Sequence, residues 1–213
     1  MMRTRLLFFP LLFTLAACQT TMPQGPGAAS DFYQRGRTAL TLENYSEAIE
    51  HFEEAVRLDP RYGEAFYGLG EAYEGSGRDR LALDAYLDAI DVQPSLGKAQ
   101  ASAGRLYFER KEYNAAEAYL KRATTLVPAD PNPYYYLGEI YRMQGKCKGS
   151  VDMYKKALAI KSNMLEAQEG LRRAQREVCR PRTSRTSTPA SRPTYQKTDV
   201  FTGGGRALKS DEW

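Results

Sequence analysis

Few side chains in this chain have a type and spacing suited to chemistry. Among 213 residues there are three cysteines and one histidine. A thiol can take a lipid, close a disulfide or attack a substrate, and the three here differ in context. Cys18 ends an apolar run near the N-terminus, whereas Cys147 and Cys179 lie far downstream. His51 falls at an outward position of a helical pattern and has no second histidine with which to build a metal site or a proton relay. Gly203 to Gly205 follow no strand pattern and read as a spacer rather than a phosphate cradle. The carboxylates recur at helical surface spacing, which describes a solvated face. The sequence therefore predicts no enzymatic activity, no metal, no cofactor and no small-molecule substrate. Recognition of other proteins is the function left to explain.

The elements that position these residues begin at the N-terminus. Arg3 and Arg5 precede an apolar run from Leu6 to Ala17, too short to cross a bilayer as a stable helix but of the length of an export signal. Residues 1–17 are thus expected to be a signal peptide. Leu15-Ala16-Ala17-Cys18 resembles the lipobox of bacterial lipoproteins. The resemblance implies that Cys18 becomes the first mature residue and carries a diacylglyceryl thioether and an N-acyl chain such as palmitate. At about 0.8 kcal/mol per buried methylene, several chains anchor firmly where one binds marginally. In that family an Asp after the lipidated Cys signals retention at the inner membrane, and here Gln19 follows. The resemblance thus implies the periplasmic face of the outer membrane. Residues 18–28, with Pro23, Gly25, Pro26 and Gly27, are expected to form a flexible tether.

Beyond the tether, Pro60, Pro94 and Pro128 stand 34 residues apart, and small and aromatic residues recur with them. The segment resembles the tetratricopeptide repeat (TPR) family, whose template has a large residue at position 4, Leu-Gly at 7 and 8, Tyr at 11, Ala at 20, an aromatic at 24, Ala at 27 and Pro at 32. Residues 63–96 match throughout, with Phe66, Leu69, Gly70, Tyr73, Ala82, Tyr86, Ala89 and Pro94. Residues 29–62, 97–130 and 131–164 match with departures, among them Arg35 for Leu, Gln100 at position 4, Leu120 for an aromatic, and Ser162 for Pro. The resemblance implies an all-α solenoid of about four helix-turn-helix repeats. Small residues at 8 and 20 let helices A and B of a repeat approach, and the side chain at 24 fills the space beside them. Each pair leaves an apolar face that only a neighbour covers, so the stack needs a cap.

Residues 165–179 supply that cap, with Leu165, Ala167, Leu171 and Ala174 on one stripe. It follows the last helix B through a turn near Ser162 and should run antiparallel to it. Cys147 lies 15 residues before Ser162 and Cys179 lies 17 after it, which puts the two thiols at matching heights of that hairpin. In an oxidising compartment they are expected either to form a disulfide, worth on the order of 3 kcal/mol in the chain-entropy model, or to remain two partly buried thiols. Residues 180–213 read as a basic disordered tail, because Arg180 to Lys197 holds no acid. It is either simply solvated or attracted to anionic lipid or an acidic surface. Val200 to Trp213 is either a short docking motif or an inert terminus.

The chain carries 30 basic and 26 acidic residues, yet residues 29–179 hold 21 and 23, so its basic balance resides in the ends. In TPR proteins the concave groove is lined by helix A positions 2, 5, 9 and 12. The resemblance assigns those places to Tyr33, Arg37, Glu64, Tyr67 and Glu71 in the first two repeats, and to Lys98, Arg105, Phe108, Tyr135, Glu139 and Arg142 in the next two. Aromatic faces there would anchor apolar side chains, and charges of both signs would orient a partner. A lipid anchor joined to such repeats is similar in architecture to pilotins and other pilus-assembly lipoproteins. It implies a scaffold that assembles or positions a pilus or secretion complex. The alternative is an adaptor for peptidoglycan hydrolases or other cell-wall enzymes.

Overall fold

A computed structural model describes residues 26–178. The expected signal peptide, Cys18, most of the tether, Cys179 and residues 180–213 lie outside the described residues, and so do the expectations that fall on them.

Among the described residues there are nine α-helices: α1 (Pro26–Thr41), α2 (Tyr45–Leu58), α3 (Gly63–Gly75), α4 (Asp79–Val92), α5 (Gly97–Glu109), α6 (Tyr113–Leu126), α7 (Pro131–Met143), α8 (Cys147–Ile160) and α9 (Leu165–Arg173), the last followed by a π-helical turn, Ala174–Val178. The helices that begin at Gly63, Gly97, Pro131 and Leu165 are spaced by 34 residues, and those that begin at Tyr45, Asp79, Tyr113 and Cys147 keep the same period. The structure is the expected all-α stack of four hairpins and a C-terminal helix. One boundary differs: α1 starts at Pro26, three residues before the expected first repeat. Pro suits the first turn of a helix, where its missing N–H is no loss, and Ala28 and Ala29 are buried there.

Glycine makes the close approach within each hairpin. A Cβ built on Gly36, Gly70, Gly104 or Gly138 would lie 2.8, 2.4, 2.7 or 2.7 Å from the side chain of Phe52, Tyr86, Leu120 or Tyr154 respectively. The next helix A closes on two of those rings from the other side: Gly68 would meet Phe52 at 2.6 Å and Gly170 would meet Tyr154 at 2.5 Å. Ala48, Ala82, Ala116 and Ser150, together with Ala55, Ala89, Ala123 and Ala157, are wholly buried along the B helices.

The turns repeat as closely as the helices. Each A helix of the four repeats ends on a left-handed residue, Glu43, Gly77, Lys111 or Gly145, with φ of 58°, 75°, 64° and 71°. The following N–H of Asn44, Arg78, Glu112 or Lys146 reaches back five residues to the carbonyl of Ala39, Tyr73, Tyr107 or Tyr141 at 2.8–2.9 Å, the bonding of a Schellman cap. Each B helix ends on a residue that has left the helical region, Asp59, Gln93, Val127 or Lys161, with φ between −130° and −136°. The first three precede proline, which favours that conformation. Lys161 adopts it before Ser162, so the turn survives the loss of its proline.

The cap is a fifth helix A in register. Its Ala167 and the following Ala174 are fully buried, and Gly170 seats Tyr154 as Gly68 seats Phe52. Arg172 stands where the four repeats place the glycine that receives their own helix B, so α9 offers no equivalent seat for a further one. No helix among the described residues is long and apolar enough to cross a membrane.

Candidate functional site

Residue 9 of each repeat gives a row of alternating charge along the A helices: Arg37, Glu71, Arg105, Glu139 and then Arg173 of α9. Most of this charge is spent inside the chain. Arg37 Nη1 donates to Glu71 Oε2 across α1 and α3 at 2.7 Å. Arg105 donates to Glu109 at 2.7 Å and pairs with Glu74, which also accepts from the Tyr86 hydroxyl at 3.0 Å. Glu139 accepts from the Tyr154 hydroxyl at 2.5 Å and from Arg142 at 2.7 Å.

The position of Glu139 corrects an expectation. Its side chain is only 7% exposed, so it ties α7 to α8 rather than offering an acid to a partner. Arg37, Glu71, Arg105 and Arg142 likewise work first as bridges, and the expected orienting charges of both signs are largely neutralised in place.

What remains open is a cleft of about 390 Å³ between α3, α5 and α7, lined by Tyr67, Lys98, Ala101, Ser102, Arg105, Asp130, Asn132 and Tyr136. A second cleft of about 470 Å³ continues from it across α3 toward the turn after α1, sharing Tyr67, Ser102 and Arg105 and adding Glu71, Glu74 and Tyr86. Burial pushes the Tyr67 hydroxyl well above its ordinary value, with Glu71 adding to the effect. Burial likewise pushes Tyr136 up to about 12, against a lowering influence from Arg105. Both phenols therefore stay protonated and able to donate hydrogen bonds at any physiological pH. Asp130 is committed as the cap of α7, accepting the Asn132 N–H at 2.9 Å. Lys98 and the Asn132 side chain make no ion pair or side-chain hydrogen bond among the described residues, and both are exposed.

Of the residues expected in the groove, Tyr67, Lys98 and Arg105 meet in one cleft, and Glu71 lines its continuation. Tyr33 packs on Phe52 and Tyr62, with ring centroids 5.9 and 5.0 Å apart. Phe108 and Tyr135 sit 5.2 and 5.1 Å from Tyr136 and support that ring from two sides. Tyr136 and Ser102 occupy residue 6 of their repeats, a position outside the expected lining. Where Gly68 and Gly170 take this place they seat a ring of the preceding helix B, so a larger residue there is the readable signal. Asn132 falls at residue 2, an expected position. His51 is not outward: its side chain is 23% exposed and lies 6.0 Å from the Phe32 ring and 3.6 Å from Glu47. No group of three or more His, Cys, Asp or Glu residues among the described ones could hold a metal.

Paired helices in a 34-residue register, packed through small residues at fixed places and open along the A helices, define a tandem-repeat binding module. The chain carries tetratricopeptide repeats: a tetratricopeptide repeat model matches residues 33–97 and a TPR repeat model matches residues 104–145. Superkiller protein 3 of Schizosaccharomyces pombe is 28% identical over 138 residues, covering 62% of this chain and 10% of that protein. Photosystem I assembly protein Ycf3 of Synechococcus elongatus is 28% identical over 141 residues, covering 58% of this chain and 78% of its own. The solved structure of PilF from Pseudomonas aeruginosa superposes with a TM-score of 0.62 at 21% identity, over 71% of this chain and 69% of that one. The chain spans only 10%, 16% and 27% of the length of the first three curated relatives it matches. It shares with these proteins a repeat that mediates protein–protein interaction.

Proposed function

We propose that this protein is a lipid-anchored scaffold at the periplasmic face of the outer membrane, and that it holds an extended segment of a partner protein along its A helices while a pilus or secretion complex is assembled. The observation that carries the binding part is the cleft itself. Internal pairing neutralises most charge on that face and leaves two tyrosine faces, the side-chain amide of Asn132 and the ammonium of Lys98 for a guest. Such a surface suits a peptide with an apolar or aromatic anchor and a nearby carboxylate. The anchoring part is supported by Arg3, Arg5, the apolar run and Leu15 to Cys18. The assembly part draws on the name of Ycf3, an assembly protein that matches this chain over 141 residues, and on the fold shared with PilF.

Crosslinking in the periplasm from a photoreactive residue at Lys98, followed by identification of what is captured, tests the reading. Secretin or pilus subunits support it. Capture of murein hydrolases instead would turn the assignment to a cell-wall enzyme adaptor.

The Cys147–Cys179 bond belongs to the same proposal. Cys147 is the first residue of α8 and half-buried, and the turn Ala174–Val178 ends one residue short of Cys179. A bond there would clamp the cap to the stack. Thiol counting on the denatured, unreduced periplasmic protein should find neither thiol reactive; two reactive thiols end the idea.

A further inference from the structure

The outer faces of the B helices carry a charge order that the groove does not explain. The tenth residues of α2, α4, α6 and α8 are Glu54, Asp88, Arg122 and Lys156. Residues one step earlier are Glu53, Leu87, Lys121 and Lys155. Along one edge-to-edge row the sign therefore runs acid, acid, base, base. The whole stack follows it: residues 29–96 hold 14 acids and 6 bases, and residues 97–164 hold 6 acids and 12 bases.

Most of these groups find no opposite charge in a neighbouring helix. Asp88, Arg122, Lys155 and Lys156 are exposed, and none is in an ion pair among the described residues. Lys156 lies over the Tyr134 ring at 5.8 Å, which leaves its charge uncompensated. Desolvation by the surrounding helix surface holds the Asp88 carboxyl above its ordinary value, and Asp91 and Asp84, its neighbours on α4, add to the effect. Glu54 pairs with Arg57 and Lys121 with Glu117, each within its own helix. Asp152 is the one acid of α8, among Lys148, Lys155 and Lys156.

We propose that this row is an interface for a second copy of the same chain, docked antiparallel through the outer faces of α4 and α6. An acid-acid-base-base row is self-complementary under a two-fold axis that passes between its second and third members. The axis sets Asp88 against Arg122 of the other copy twice, and Glu54 against Lys156 twice. A two-fold contact requires that kind of match, because the same patch must serve both partners. Ala115 and Ala118 leave the outer face of α6 low between the charged residues, so the acids of α4 can approach Arg122 closely. A uniformly anionic surface would attract the basic half and repel the acidic half, so it does not fit the full row. The interface leaves the A-helix cleft free, and it stands whether or not that cleft binds a peptide.

The test is sedimentation of the full chain at low and high salt, with charge reversals. The screening length shrinks from about 30 Å near 0.01 M to about 3 Å near 1 M salt, so the wild type should dimerise at the first and dissociate at the second. Asp88→Arg sets base against base at both symmetry-related contacts, and Arg122→Asp sets acid against acid. Each variant alone should dimerise at least about tenfold more weakly. An equimolar mixture of the two sets base against acid at both contacts of the mixed dimer and should associate more tightly than either variant alone. The double variant carrying both reversals restores both contacts between two identical copies and should dimerise near the wild-type affinity. These exposed substitutions leave the packed faces untouched, and an unchanged thermal transition checks that. A wild type that stays monomeric at low salt overturns the proposal, including the case in which it binds anionic vesicles as a monomer. So do single variants that dimerise as before, or a double variant that fails to associate.

Discussion

At the scale of single residues, the left-handed turn position shows where the chain departs from its own preference. Gly77 and Gly145 take φ of 75° and 71° without cost, whereas Glu43 and Lys111 are held at 58° and 64° with a Cβ in place. A non-glycine residue in this region loses about 1–2 kcal/mol relative to right-handed backbone, offset partly by the greater freedom of glycine when unfolded. Lys111 is exposed and makes no ion pair among the described residues. Lys111→Gly should therefore raise stability by up to about 1 kcal/mol in denaturant unfolding. A loss of stability would mean that the lysine makes a contact outweighing its backbone cost. The charges show the opposite limit of legibility. The alternation Arg37, Glu71, Arg105, Glu139 can be read once the register is known, but not its pairing. Which neighbour a long side chain reaches depends on rotamers and on the tilt between helices, and so Glu139 reads as a groove acid until its bond to the buried Tyr154 is seen.

At the scale of elements, helix propensity and packing make opposite demands on the same residue, and packing wins. Gly138 lies inside α7, where alanine would ordinarily add about 1 kcal/mol of stability. Its Cβ would sit 2.7 Å from the wholly buried Tyr154 ring, and overpacking of this kind typically costs about 1–3 kcal/mol. Gly138→Ala should lower the denaturation midpoint despite its better propensity; a higher midpoint would show that the hairpin opens freely. These elements are legible because each small residue has a periodic reason to be small, and the cap can be read from its apolar stripe alone. Two features are not. The start of α1 reads as tether because Gly25, Pro26 and Gly27 suggest a loop, although proline is at home in a first helical turn. The cap reads as a new element, while its start 34 residues after that of α7 makes it a fifth helix A, with Arg172 in the place of the glycine.

At the scale of the whole repeat stack, the described residues combine two faces with different electrostatic logic. On the A side, alternating charges pair with neighbours and leave a nearly neutral cleft with tyrosine walls. On the B side, the charges are sorted into an acidic and a basic half and remain largely unpaired between helices. The register tells which positions line the first face, because residues 2, 5, 9 and 12 recur on it. It omits Ser102 and Tyr136, since residue 6 faces a ring in some repeats and the cleft in others, and that choice depends on side-chain size at each interface. Binding of partners in the cleft beside Lys98 is the proposal on which the function rests. It is tested most directly by the affinity of the captured partner for Asn132→Trp, which places a large ring in the cleft from an exposed position while its main-chain N–H can still donate to the Asp130 cap of α7. A loss of at least about tenfold, equivalent to about 1.4 kcal/mol, is expected, with the thermal transition unchanged. Wild-type affinity in a folded Asn132→Trp variant would contradict it.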